Sequence, residues 1–245
     1  MPVRVLLRHD RQWRLFESPQ RVVQAYTTSE VLPALRDIES AVATGLHAAG
    51  FVSYEAASGF DPALLTLPRG ELPLVWFGLF ADFEVVQAPV DGVRSNPVEW
   101  TLATDMDHYR QRLEVIRRAL ADGRSYQVNH TERLHAERLD IVSLFALFAV
   151  DAPYAALIET STCTIVSASP ELFFELDENT VVCKPMKGTA ARALTSAADR
   201  ERARWLAASI KNRAENVMIT DMVRNDLGRI ARVGSVQVAD LFAVQ

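Results

Sequence analysis

The chain has 245 residues, enough for one large domain or two small ones. Its hydrophobic content of 49% and charged content of 23% are those of an ordinary globular protein and exclude a disordered or fibrous one. Thirty-one acidic residues against 26 basic ones give a net charge of −5, so the chain lacks the positive charge needed to bind a phosphate backbone. We therefore expect no nucleic acid partner.

The cysteines and the apolar segments indicate the cellular location of the protein. Cys163 and Cys183 lie in strand-like stretches and form no CxxC pair, so neither a disulfide framework nor a zinc site is predicted. Arg8 and Asp10 interrupt any N-terminal apolar segment, and the apolar run at 144–150 is too short to cross a bilayer. We expect a cytoplasmic protein without a membrane partner.

The first part of the chain alternates strand-like and helical patterns. Helical spacing of apolar residues predicts a helix over 33–50, with Gly50 as its end. Proline, glycine and asparagine between residues 86 and 97 predict a boundary that divides the chain into an N-terminal β-rich part, 1–88, and a second part, 98–245. The strand-like runs of the first part are 3–7, 49–55 and 74–85.

The second part begins with a predicted helix from Asp105 that ends at Asp122 and Gly123. Strands that follow one another with little between them argue for an α+β fold with antiparallel β-sheets flanked by helices. The remaining predicted elements, in chain order, are a strand at 126–134, a short helix at 141–150, strands within 154–184, a helix at 198–227 and a strand at 230–239.

A hairpin is predicted around the turn 177–179, with paired positions that sum to about 356. Residue 171 then faces residue 185, and Lys187 lies about 7 Å further along the strand direction from the partner of Glu171. A neutral lysine can act as a nucleophile, and a partly buried glutamate can act as a general acid. The alternative is an ordinary surface salt bridge at the mouth of the hairpin.

Glu215 is the second candidate, because helical spacing places it in one row with Lys211, Met218 and Met222. A carboxylate between a cation and an apolar stripe is either an ordinary pair with Lys211 or a ligand of Mg²⁺, which takes carboxylate oxygen. Both interpretations stay open on periodicity alone.

Gln127 and Asn129 are the third candidates. Alternation in the segment 126–131 places the two uncharged amides on one face, where they serve either to bind a ligand or to satisfy structural hydrogen bonds.

The candidates lie in four segments, which in chain order are SYQVNHTERL (125–134), SASPELFF (167–174), KPMKGTAAR (184–192) and KNRAENVMITDMVRNDLGRI (211–230). In this order the segments resemble blocks of the chorismate-utilising enzymes, whose members include anthranilate synthases and aminodeoxychorismate synthases. A further segment, FVSYEAASGFDP at 51–62, resembles the N-terminal part of the large component of aminodeoxychorismate synthase.

The resemblance implies a chorismate-binding fold and particular residue roles. Lys187 is similar to the lysine with which aminodeoxychorismate synthases hold the ring covalently, where anthranilate synthases usually have alanine. Glu171 would be the general acid, Glu215 a Mg²⁺ ligand, and Gly188 with Thr189 part of the substrate pocket, to which Gln127 also belongs. The lysine that activates water in other members is replaced here by Gln127.

The implied function is component I of aminodeoxychorismate synthase, which uses ammonia from a glutamine amidotransferase partner to make 4-amino-4-deoxychorismate on the route to para-aminobenzoate and folate. Anthranilate synthase component I, or an inactive fragment of the family, is the alternative. Relatives continue past the position of residue 245 with further substrate and metal residues. We therefore expect a fold that is incomplete at its C-terminus, and we expect the 245-residue chain alone to be inactive and to self-associate.

Overall fold

The computed structural model describes residues 3–9, 12–88, 98–137, 139–149 and 151–244. By contacts the chain divides into two compact units, each made of two stretches: 1–98 with 138–170, and 99–137 with 171–245. The predicted boundary falls mostly on 89–97, outside the described residues, and the division into 1–88 and 98–245 stays a prediction.

Twelve strands and six helices form within the described residues. The strands are β1 Arg4–His9, β2 Gln12–Glu17, β3 Arg21–Ala25, β4 His47–Val52, β5 Val75–Phe80, β6 Glu84–Val86, β7 Thr101–Leu102, β8 Leu134–His135, β9 Tyr154–Glu159, β10 Thr164–Ser169, β11 Leu172–Asp177 and β12 Thr180–Lys184. The helices are α1 Thr28–Ala43, α2 Ala57–Phe60, α3 Met106–Ala121, α4 Ile141–Ala149, α5 Ser196–Ala208 and α6 Ile210–Gly228.

The first unit contains two antiparallel sheets, which agrees with the predicted α+β class. One has the strand order β10-β9-β1-β2-β6 and the other the order β3-β5-β4. Helix α1 buries Val31 and Ile38 against the smaller sheet, and Phe145 of α4 meets Trp13 of β2 edge-on, with ring centroids 5.7 Å apart. Among the described residues, every fully buried hydrophobic side chain belongs to this unit.

Helix α1 begins and ends earlier than the predicted 33–50. It begins at Thr28 because Thr27 and Glu30 form a capping box, in which the Glu30 carboxylate accepts from the Thr27 backbone N–H at 2.9 Å. It ends at Ala43, and Gly45 adopts φ +100 just beyond it. Gly50 lies in β4 instead, where it packs against the backbone of β5.

The second unit combines the hairpin β11–β12 and the short pair β7–β8 with helices α3, α5 and α6. Three predictions here were wrong. The strand at 126–134 is reduced to Leu134–His135, the residues 230–239 form no strand, and the long helix is divided at Ser209. Ser209 starts α6 as its N-cap, since its Oγ accepts from the Asn212 N–H at 3.4 Å.

None of the helices formed by the described residues has both the length and the apolar character needed to cross a bilayer.

Candidate active site

The mouth of the hairpin β11–β12 has the register that the sequence predicts. Leu172 pairs with Lys184, and these positions sum to 356. Nearer the turn, Asp177 pairs with Thr180 and the sum is 357, so the loop has two residues rather than three. A bulge between Leu172 and Glu175 absorbs the difference, and Glu171 therefore lies opposite the segment that leads to Lys187.

Glu171 is attached to that segment by a hydrogen bond. Its Oε1 accepts from the backbone N–H of Met186 at 3.2 Å. Pro185 carries no N–H, so the N–H of Met186 is the first donor beyond β12. The Glu171 carboxylate is thus held beside the backbone of the residue before Lys187, and Glu171 itself is exposed.

The loop that carries Lys187 rests on helix α6. Asn216 Nδ2 donates to the carbonyl oxygen of Lys187 at 3.0 Å. The next residue, Gly188, has φ +83, a conformation that favours glycine. A Cβ on Gly188 would lie 2.7 Å from Cγ of Asn212, so the backbone approaches α6 as closely as only glycine allows. Thr189 follows and is exposed.

Lys187 and Gln127 line one cavity in the second unit. Its volume is about 830 Å³. Asn129 also lines it, and so do Ser125 and Tyr126, so the lining includes consecutive residues and does not follow the alternation predicted for a strand. The apolar part of the wall comes from α6 and from the segment after it, through Val217, Met218, Met222, Val238 and Leu241. A cavity with apolar walls and a few polar groups is typical of a site for a small organic molecule.

The segment that carries Gln127 is held without strand pairing. Glu132 Oε1 lies 3.0 Å from His130 Nε2 and 3.4 Å from Nη1 of Arg112 on α3. A hydrogen bond from Thr104, together with the charge of Arg112, holds the pKa of Glu132 below its ordinary value. This ionised carboxylate fixes the irregular stretch 127–133 to α3.

Glu215 is partly buried on α6, with 24% of its side chain exposed. Lys211 Nζ lies 3.8 Å from its Oε1, so the predicted i,i+4 pair is present. Within the described ranges, no group of three or more histidine, cysteine, aspartate or glutamate side chains is arranged to hold a metal. Glu215 as a Mg²⁺ ligand therefore stays a prediction, and the observed partner of its carboxylate is Lys211.

The sequence patterns did not predict the role of two asparagines, Asn212 and Asn216, which contact the loop that carries Lys187. A signal was present at Asn216, which stands in the interior of a helix, where asparagine is unfavourable, whereas Asn212 lies in the first turn of α6.

Replacing Gly188 with alanine is expected to displace the Lys187 loop. The new Cβ combines a strained φ with the approach to Asn212, so we expect a loss of activity of about tenfold or more from misplacement of the lysine. Gly234→Ala is the matched control, since Gly234 has φ +81 but nothing within 4 Å of the added carbon. The measurement is the steady-state rate of each variant. Equal losses of rate in the two variants would mean that backbone strain, and not the approach to Asn212, lowers the activity.

Residues 87–245 match the family described as chorismate binding enzyme. Since the match covers well over half of the chain, the chain belongs to this family. This agrees with the fold class and with the resemblance predicted from the sequence.

Several named proteins are similar to the chain. It is 37% identical to aminodeoxychorismate synthase component 1 of Salmonella typhimurium, over 56% of this chain and 31% of that protein. It is 33% identical to an aminodeoxychorismate synthase of Streptomyces griseus, over 89% of this chain and 27% of that protein. Anthranilate synthase component 1 1 of Haloarcula marismortui is 34% identical over 67% of this chain and 36% of its own length. The chain thus spans about a third of the length of these relatives.

Among solved structures, the fold is similar to that of a protein described as a 2,3-dihydroxybenzoate-specific isochorismate synthase from Bacillus anthracis. The TM-score is 0.69 at 16% identity, over 93% of this chain and 60% of that one. At that identity the likeness shows the shared fold alone.

Proposed function

We propose that the protein that carries this chain is component 1 of an aminodeoxychorismate synthase. It converts chorismate and ammonia to 4-amino-4-deoxychorismate and water, on the route to para-aminobenzoate and folate. The observation that carries the proposal is the loop 186–188, where Glu171 binds the backbone beside Lys187 and Lys187 lines a cavity with Gln127. The relatives of that name, at 33% and 37% identity, support it.

In the proposed reaction, the neutral amine of Lys187 forms a C–N bond to the chorismate ring. The 4-hydroxyl leaves as water with a proton from Glu171, which acts as general acid. Ammonia then adds at position 4 and the Lys187–ring bond breaks, which regenerates the amine. The proton that the added nitrogen loses returns to Glu171. Gly188 and Thr189 form part of the pocket for the ring and its carboxylate. Gln127 cannot act as a base, so it cannot activate water by taking a proton from it.

Ammonia comes from a partner in this proposal. The name component 1 of the relatives implies a second component, and a glutamine amidotransferase would supply the nitrogen.

Glu215 is the residue proposed to hold Mg²⁺. The bound ion would supply positive charge for a carboxylate of chorismate. Lys211 Nζ lies 3.8 Å from the Glu215 carboxylate, one helical turn away on the same face of α6.

Replacing Glu215 with glutamine is expected to raise the Mg²⁺ concentration that gives half-maximal activity, without unfolding α6, because glutamine is a good helix former. Glu114→Gln is the control, since Glu114 makes an i,i+4 pair with Arg118 on α3 at 3.0 Å. The measurement is the activity of the parent and of both variants as a function of Mg²⁺ concentration. Identical titration curves for all three would mean that Glu215 is structural.

The product test separates the two family activities. The protein that carries this chain is incubated with chorismate, Mg²⁺ and ammonium, and the product is identified by mass spectrometry. The proposal predicts an amine in place of the ring hydroxyl with the enolpyruvyl ether intact. Anthranilate, which has lost pyruvate, would instead assign the protein to the anthranilate synthases, and its relative from Haloarcula marismortui makes that the second candidate.

A further inference from the structure

The side chain of Asn216 links helix α6 to the loop that carries Lys187. Its Nδ2 donates to the Asn212 carbonyl one turn earlier at 2.9 Å and to the Lys187 carbonyl at 3.0 Å. An amide nitrogen has two hydrogens, and both are used here. These two bonds define the orientation of the amide group, because the flipped amide would place its oxygen against the two carbonyl oxygens, which cannot donate. Asn216 is partly buried, so water replaces these bonds poorly.

The same face of α6 holds the next residue of the loop. Asn212 lies one turn before Asn216 and packs against Gly188, where φ is +83 and an added Cβ would meet Asn212 Cγ at 2.7 Å. Asn216 therefore holds position 187 by a hydrogen bond, and Asn212 leaves no room for a side chain at position 188. Asparagine is a poor helix former, so its presence at 216 costs helix stability that the bond to Lys187 offsets.

The geometry points to Asn216 as a positioning residue for Lys187, an inference that rests on the role proposed above for that lysine. The amine of a lysine ends a flexible four-carbon stem, and its reach is set by where the backbone begins. Covalent addition requires the amine and the ring carbon to be held at about 3 to 3.5 Å with the correct approach. Asn216 touches no reacting atom in this role, and acts through the lysine backbone.

The first test compares two substitutions on the same helix. Asn216→Leu removes the donor, and Asn225→Leu makes the same change at an exposed position of α6. We expect Asn216→Leu to lower kcat about tenfold while KM stays within about threefold, since misplacement affects the chemical step more than binding. Asn225→Leu is expected to keep the parent kcat. Asn216→Asp retains the shape but presents an oxygen to the two carbonyls, and it should lose kcat in the same way.

Urea unfolding of each variant separates positioning from folding. The lost hydrogen bonds should lower the unfolding midpoint of both variants somewhat, but the inference predicts that each variant is still fully folded in the assay buffer without urea. If either variant is unfolded there to the extent that its kcat has fallen, Asn216 is a structural residue and the inference is wrong.

A double substitution shows whether Asn216 acts through Lys187. In the Lys187→Ala background, Asn216→Leu should cause no further loss of the residual rate, because its target is already absent. A tenfold loss in both backgrounds would contradict the inference, as would an unchanged kcat in Asn216→Leu. If Lys187→Ala itself keeps the parent rate, the proposed role of Lys187 fails, and the inference fails with it.

Discussion

Replacing Lys187 with alanine is expected to lower the ammonia-dependent formation of 4-amino-4-deoxychorismate by roughly a hundredfold or more, because the variant lacks the nucleophile that holds the ring. The fold should survive, since Lys187 contacts α6 through its backbone carbonyl and that group is present in alanine. The measurement is the rate of product formation by the protein that carries this chain, with urea unfolding as the test of integrity.

Lys187→Arg separates the need for an amine from the need for a positive charge. Arginine retains the charge but stays protonated and cannot attack the ring. We expect this variant to be as inactive as Lys187→Ala. A rate near that of the parent in either variant would show that Lys187 forms no covalent bond, and would leave it at most a role in binding the anionic substrate.

Replacing Gly50 with alanine is expected to be the most destabilising substitution in the first unit. An added Cβ would lie 2.0 Å from the carbonyl oxygen of Trp76 and 2.6 Å from Cα of Phe77. Both obstacles are backbone of the central strand β5, which pairs on both sides and cannot move without breaking the sheet. We expect the free energy of unfolding to fall by about 3 kcal/mol.

Gly70→Ala is the matched control in the same unit, because nothing lies within 4 Å of its added carbon. It should change the free energy of unfolding by no more than about 0.5 kcal/mol. Chemical denaturation of both variants measures the difference. Equal stability of Gly50→Ala and the parent would mean that β4 and β5 are not packed as described.

The candidate site was largely predictable where local rules decide it. The hairpin register followed from a turn between two strand-like runs. The predicted loop was one residue too long, but a bulge in β11 restores the predicted pairing at the mouth of the hairpin. The row of Lys211, Glu215, Met218 and Met222 followed from helical periodicity, and the pair at 3.8 Å confirms its first part. Short-range geometry of this kind depends on few residues.

The features that the sequence did not predict depend mostly on contacts between residues that are far apart in the chain. The alternation at 126–134 is typical of a strand, yet only its end pairs, with β7, and the ionised Glu132 holds the rest. The hydrogen bond that holds the Lys187 loop on α6 likewise joins two residues 29 positions apart, Lys187 and Asn216. The break at Ser209 is different, since a serine before a helical run is a local cap signal that the long apolar periodicity concealed.

The central claim is that Lys187 forms a covalent bond to the chorismate ring, and mass spectrometry of the digested protein tests it most directly. The protein that carries this chain is incubated with chorismate and Mg²⁺ without ammonia, quenched in acid and digested. We predict a mass increase of chorismate minus one water, located on the peptide that contains Lys187 and absent in Lys187→Ala. Turnover with ammonia but no adduct under these conditions, or an adduct on another residue, would contradict the account.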